Sequence, residues 1–554
     1  MNIQSFNTLK FYKRYCFLVS AIIFLGCNGN DTSMDIEESD GQNTEITLQG
    51  NVYFEEYIPT DKGLSDEIYV KPVKYALFEV LSENDMNLYH GNLDKHGHFS
   101  VDLKKKQKIC IKIYSDTRKS DICNVYTVNS DNKVYTYSSL YFNPENYENY
   151  NITISIANYG KISGAFNILD VASSCSKLII STTGKIHLPL RLTWELGNLN
   201  TSVFGELLTT SFFSQYNATP TIYLSGGKIL SDGTLDLTSE TAHFDDMVIA
   251  HEMGHFIQNS YSFDASQGGG HNGNNLYPSL SLSEGFATWC AAACLNNPNY
   301  IETIGLPPYQ KVNYSNYNIE NIDNISYRAY GIQSEFTVSE ILWDIYDGSD
   351  DYPVDFDNDG LAVDFKTIID VFQNLSEYDY PFLITVLDKF RDSFIISEEK
   401  ICELLSSPTD QNIEYPYSVL WPFPIELGYT YPVSGKPYFI GIPAPGTIES
   451  EPYLFSGSFF LNQFWSFVID YSSNIVITFG IKLEKVQQML TLELYTCDNT
   501  LITTRNCKSD NYVQIINYLP TGKYIIKISS YENSNEQYGR YWLSVEETTD
   551  ISME

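Results

Sequence analysis

The chain has 554 residues, too many for one hydrophobic core, so several domains are expected. Apolar residues make up 43% and aromatics 14%, an ordinary globular balance rich in tyrosine. A formal net charge of −35 argues against nucleic acid as a partner, since a phosphate backbone needs a basic face.

Lys10, Lys13 and Arg14 precede a short apolar run, Cys16 to Gly26, the layout of an export signal. It ends Phe24-Leu25-Gly26-Cys27, which resembles a bacterial lipobox with phenylalanine where leucine is usual. The resemblance implies residues 1–27 as a lipoprotein signal, with Cys27 lipidated. Acyl chains would then anchor the protein to the bacterial cell envelope; secretion with cleavage nearby is the alternative. No later stretch has the ~18 apolar residues that a membrane-spanning helix needs. Of ten cysteines, Cys16 leaves with the signal and Cys27 takes lipid. Cys110/Cys123 and Cys497/Cys507 are near neighbours in sequence and candidate disulfides. Cys290 and Cys294 lie among alanines and read as small buried residues.

Residues 28–44 are polar and acidic, a tether. Alternation over Ile46–Phe54, Ala76–Leu81, Gly97–Val101 and Ile109–Tyr114 predicts strands, and 45–157 reads as a β-sandwich module. Pro72-Val73-Lys74-Tyr75-Ala76 and Asp94-Lys95-His96-Gly97-His98-Phe99 resemble the transthyretin-like module found beside secreted peptidases. His90, His96 and His98 read as parts of a solvated hairpin, because no ligand cluster accompanies them.

Residues 158–425 read as a mixed α+β domain. A helix is expected from Lys161, and strands over Leu178–Thr183, Leu190–Trp194 and Thr221–Leu224. Phe244 to Gln258 then reads as a helix carrying His251-Glu252-Met253-Gly254-His255. At ~3.6 residues per turn, His251 and His255 share one face and can hold one zinc ion, with Glu252 beside it as general base. Two further helices are predicted, Leu282 to about Asn296 and Glu335 to Tyr346, separated from the first by a glycine-rich loop containing His271.

These segments, with Ser283-Glu284-Gly285-Phe286-Ala287-Thr288-Trp289 and Leu342-Trp343-Asp344, resemble gluzincin metallopeptidases of exported bacterial proteins. The resemblance implies a zincin-like domain in which Glu284 is the third zinc ligand. Glu284 stands twenty-nine residues beyond His255, a spacing that a loop absorbs cheaply. His271 is the alternative third ligand. Tyr330 is a candidate oxyanion donor. Thr288 stands where thermolysin-like members carry an aspartate, which puts their ligand-orienting contact in doubt.

Asp355, Asp357 and Asp359 are spaced as in a calcium loop, with Asp364 the candidate to complete it, since the twelfth position is Lys366. Short strands recur from 426 to 549, predicting a second β-sandwich before a tail at 550–554. Leu519-Pro520-Thr521-Gly522-Lys523-Tyr524 and Gly539-Arg540-Tyr541 resemble the pre-peptidase C-terminal domain of secreted proteases, which implies no catalysis. The expected architecture is therefore an N-terminal transthyretin/Ig-like β-sandwich, a central α+β zincin-like metallopeptidase domain and a C-terminal β-sandwich. The expected activity is zinc-dependent hydrolysis of proteins or peptides by a lipid-anchored, exported enzyme. The rival expectation is a surface adhesin with a structural or vestigial metal site. Nothing in the sequence sets the oligomeric state.

Overall fold

The computed structural model describes residues 45–548 apart from 61–62, 105–106, 199–200, 204–205, 209, 216–218, 237–238, 265, 267–270, 272–275, 277, 304–313, 321–330, 332–333, 355–359, 376–380, 406–422, 425–429, 435–460, 484–488, 497–499, 509–511 and 531–538. Cys27, Tyr330, Asp355, Asp357, Asp359 and Cys497 lie outside the described residues.

The chain begins with β1 (Glu45–Thr60), β2 (Gly63–Pro72), β3 (Leu77–Ser82), β4 (Asn87–Asn92), β5 (His98–Lys104) and β6 (Ile109–Tyr114). β7 (Val125–Val128), β8 (Thr136–Ser138) and β9 (Ile152–Ile154) follow. One sheet runs β2-β1-β5 with β9 beside β1; the other runs β4-β3-β6-β8. Alternation in β1 turns Leu48, Val52 and Phe54 inward, all fully buried. Phe78 of β3 meets Phe99 of β5 with ring centroids 5.5 Å apart, joining the two sheets through one core as a β-sandwich does. The histidine turn folds around Asp94, whose Oδ1 accepts from the backbone N–H of His96 and of His98, both at 2.8 Å.

Two expectations are corrected here. Cys110 and Cys123 are free thiols: Cys110 donates to Ser139 O, whereas Cys123 donates to Ser173 O in the first long helix. Their side chains point into different surroundings, so nearness in sequence does not bring them together. The expected boundary at 157/158 is also crossed. β7 belongs to neither sheet of the sandwich; it pairs in parallel with Leu190–Trp194, the next domain's first strand.

A single-turn helix, α1 (Ala157–Gly160), leads into α2 (Ser163–Thr183). Leu178–Thr183, expected as a strand, is the last turn and a half of α2. Phe166, Leu169, Ala172, Cys175 and Ile179 continue one buried helical face through this stretch, and packing overrides the β-branched run at its end. Gly184, at φ 67°, stops the helix in the left-handed conformation. β10 (Leu190–Trp194), β11 (Thr201–Val203), β12 (Glu206–Leu208), β13 (Phe212–Ser214), β14 (Thr221–Leu224), β15 (Lys228–Ile229) and β16 (Leu235–Asp236) come next. The central sheet runs β13-β14-β10-β7, with β10 parallel to both neighbours and β13 antiparallel at the edge.

Then come α3 (Asp246–Tyr261), α4 (Pro278–Leu295), the β17 (Asn299–Thr303)/β18 (Tyr314–Asn318) hairpin and α5 (Glu335–Tyr346). α6 (Phe365–Gln373), α7 (Leu383–Asp392) and α8 (Glu398–Leu405) complete the helical part. Asp364 is the N-cap of α6: its carboxylate accepts from Thr367 N at 2.8 Å and from Thr367 Oγ1 at 3.1 Å.

Lys71 of β2 ties the first module to the start of α3, 2.9 Å from Glu56 and 3.1 Å from Asp246. Burial works to lower its pKa, but Asp246 and Glu56 outweigh burial and hold the ammonium charged. Lys74 repeats the device 2.9 Å from Asp170 of α2.

The C-terminal part is all β: β19 (Phe423–Pro424), β20 (Thr430–Ser434), β21 (Leu461–Ile469), β22 (Ser473–Leu483) and β23 (Met489–Thr496). β24 (Leu501–Lys508), β25 (Tyr512–Leu519), β26 (Gly522–Ser530) and β27 (Gly539–Thr548) complete it. They form two sheets, β19-β21-β26-β23-β24 and β20-β27-β22-β25. Buried Phe467, Ile477, Phe479, Leu494, Ile526 and Leu543 come from both, the composition of a second sandwich core. Thus the chain is multidomain, with β-rich modules on either side of a mixed helical and sheet region.

Candidate metal centre

α3 buries Ile249, Met253 and Phe256 and carries His251 and His255 on its next face. α4 differs in kind: every residue from Pro278 to Ala293 is buried. A helix buried on all sides runs through the core, and that places the Glu284 carboxyl in the interior, where a charge needs partners. Two glycines allow the close packing. A Cβ on Gly254 would lie 2.6 Å from Ala287 Cα of α4, and one on Gly285 would lie 2.7 Å from Glu335 O of α5. The three helices therefore approach closest at the residues that flank the candidate ligands.

Glu284 Oε2 lies 3.2 Å from His251 Nε2 and 3.0 Å from His255 Nε2, and the two imidazole nitrogens are 3.1 Å apart. A tetrahedral zinc ion with bonds of ~2.0–2.1 Å separates its ligand atoms by about 3.3 Å. The triangle matches that edge to within a few tenths of an ångström, so these residues fit a zinc ion. The Nδ1 atoms are spoken for by hydroxyls of α4: His251 Nδ1 lies 3.1 Å from Thr288 Oγ1, and His255 Nδ1 lies 3.4 Å from Ser283 Oγ. Ser283 in turn reaches Gln258 Oε1 at 3.0 Å and Asp264 Oδ2 at 3.3 Å. A hydrogen bond at Nδ1 leaves the Nε2 lone pair free to bind metal. Thr288 thus brings a hydroxyl to the His251 ring nitrogen that faces away from the triangle.

His271 sits on the other flank of Glu284. Its Nε2 is 3.3 Å from Glu284 Oε2 and its Nδ1 is 2.7 Å from Glu335 Oε2. Its ring stacks against that of His251 at 6.3 Å. The structure thus brings His251, His255, Glu284 and His271 together, and adds Glu335. In the sequence Glu335 reads only as a helix start, because its partner His271 is sixty-four residues away. The signal available for Ser283 and Thr288 was their position on either side of Glu284, one helical turn apart from the ligand or adjacent to it.

Burial raises the Glu252 carboxyl to about 7, helped by Glu284 and opposed by His255. Its Oε2 has no hydrogen-bond partner among the described residues. Burial also works to raise Glu284, but His271 and His255 outweigh it and hold that carboxyl well below the usual range. The same charge keeps protons on the imidazoles of His255 and His271 against their burial. A divalent cation entering this cluster would displace those protons. At the N-terminus of α3, Asp245 accepts from Thr303 N at 3.0 Å and from Thr303 Oγ1, which fastens β17 to α3. β17 thereby sets Tyr300 over the site, its ring 6.4 Å from that of His251.

No protein-family model matches the chain, and no curated protein matches it. Among solved structures, it is similar over 22% of its length to the pre-peptidase C-terminal domain of collagenase from Bacillus anthracis, at 19% identity and a TM-score of 0.15, spanning 92% of that chain. It is similar over 16% to a Glycosylation Associate Protein complex from Streptococcus agalactiae, at 15% identity and a TM-score of 0.12, spanning 34% of that chain. A likeness over 17% links it to the Yersinia pseudotuberculosis-derived mitogen, at 14% identity and a TM-score of 0.11, spanning 89% of that chain.

Proposed function

We propose that the protein is an exported, lipid-anchored zinc metallopeptidase that hydrolyses peptide bonds in proteins or peptides. The observation that carries the reading is the ligand triangle of His251, His255 and Glu284, with Glu252 between the two histidines on α3 and its Oε2 without a hydrogen-bond partner among the described residues. Zinc held there supplies Lewis-acid chemistry, polarising a carbonyl and acidifying water. Glu252 Oε2 takes the proton of the attacking water and passes it to the leaving amine. Burial, which raises the Glu252 carboxyl, works toward a group that can both accept and release a proton. Thr288 and Ser283 hold the two imidazoles in one tautomer, and Glu284 fixes their separation.

The adhesin reading has less support. A structural zinc site closes all four positions with protein and has no use for a buried glutamate beside two histidine ligands. The test is Glu252→Gln in the full mature chain, assayed against a peptide library with zinc content measured in parallel. Zinc retained with cleavage abolished supports the reading. Equal cleavage by mutant and wild type, or none by either on any substrate, removes it.

A further inference from the structure

We propose that His271, Glu284 and Glu335 form a second divalent-cation site that shares the Glu284 carboxylate with the zinc site. The proposal rests on the metallopeptidase reading in that the shared ligand belongs to both. One ligand atom from each of the three lies within 4.8 Å of the other two, the spacing of donors around a single ion. The residues come from three separate segments: a loop, α4 and α5. Gly285 makes their meeting possible, since a Cβ there would collide with Val338 Cβ at 2.4 Å and with Glu335 O at 2.7 Å. Only with that contact can the first residue of α5 reach the loop histidine.

His271 does not simply enlarge the first triad. It groups with Glu284 and Glu335, whereas His251 and His255 group with Glu284 alone. Glu284 Oε2 is the common point, 3.0–3.3 Å from three imidazole nitrogens on two flanks. A carboxylate so placed can bridge two cations about 3.5–4 Å apart, the separation of two-metal hydrolytic sites.

Glu284 and Glu335 face the two ring nitrogens of His271, at 3.3 Å from Nε2 and 2.7 Å from Nδ1, so two carboxylates and one imidazole converge there. The donor set also differs from the first. Two carboxylates with one imidazole are harder than two imidazoles with one carboxylate, so this site takes zinc or manganese and binds the more weakly of the two. The side chain of His271 is 36% exposed, which gives the ion a route in from solvent. A rival arrangement has the Glu335 carboxylate merely accept from His271 Nδ1–H and turn the ring toward a single ion.

The experiment is metal analysis of the mature full-length protein equilibrated with excess Zn2+ or with Mn2+, with circular dichroism confirming the fold. The expected result is two equivalents of zinc in the wild type and one in H271A and in the nearly isosteric E335Q. Manganese-loaded wild type should give a spin-coupled resonance signal, replaced in both variants by that of an isolated ion. One equivalent in the wild type, lost in H255A but unchanged in H271A and E335Q, overturns the second site and leaves the metallopeptidase reading standing. One equivalent lost in H271A and E335Q but kept in H251A and H255A does the reverse.

Discussion

Gly254, the variable position just before the second histidine of the motif, sets how near α4 can come to α3. In Gly254→Ala the new methyl would stand 2.6 Å from Ala287 Cα and 2.8 Å from Ala287 O. Both are backbone atoms, so no side-chain rotation relieves the clash. Ordinary carbon contact is ~3.5 Å, so the helices must part by about 0.9 Å. Overpacking of this kind costs about 1–3 kcal/mol, and the better helix propensity of alanine returns about 1 kcal/mol. The fold should therefore survive with a modest loss. The metal site should not, because Glu284 rides on α4 one turn before Ala287, and metal–ligand bonds tolerate only about 0.2 Å of displacement. Zinc affinity, measured by competition with a chromophoric chelator, should fall at least ~100-fold, beyond the ~10–100-fold that follows loss of an outer partner. Thermal unfolding of the metal-free protein, measured alongside, separates the two effects. Affinity within about threefold of wild type would refute the claim that this contact sets the ligand spacing.

Thr288→Val removes the partner of His251 Nδ1 and should weaken zinc binding about 10–100-fold, while Thr288→Ser should restore it; equal affinity in all three proteins would show that the hydroxyl orients nothing. Lys71→Met strands the buried Glu56 carboxylate beside Asp246. Denaturant titration should report a loss of about 2–3 kcal/mol, below the ~3–5 kcal/mol of a fully buried pair because Lys71 is a third exposed. Cys27→Ser should move the protein from the membrane fraction to the soluble exported fraction, and unchanged fractionation would dismiss the lipid anchor.

The helices of the candidate site were legible because their apolar spacing and their chemistry coincide. α3 and α5 are amphipathic, and α4 is an unbroken small and apolar run around a single glutamate. What stayed hidden was long-range. Ile179-Ile180-Ser181-Thr182-Thr183 has the local composition of a strand, and only the buried face begun at Phe166 makes it helix. β7 looks like any strand of the first module; nothing local shows that its partner lies more than sixty residues on, across a helix. The pairing of His271 with Glu335 depends on Gly285, whose role appears only once α5 is packed against it. That Thr288 reaches His251 was equally hidden, because a threonine in a sequence does not show which atom its hydroxyl meets.

The strand exchanged between the first module and the central sheet has a consequence for biogenesis. Synthesis runs from the N-terminus, so β7 leaves the ribosome before α2 and before β10, the strand it must join. Until then it is held by its neighbours in the first module, where Thr127 N donates to Ser115 O at 2.9 Å. A parallel pair formed across a helix is slow to close from free chain, since loop-closure entropy is lost before any contact is gained. A strand already anchored at one edge offers the later segment a fixed template. A fragment cut at the module boundary would therefore emerge with the edge of β10 bare and prone to pairing with other chains.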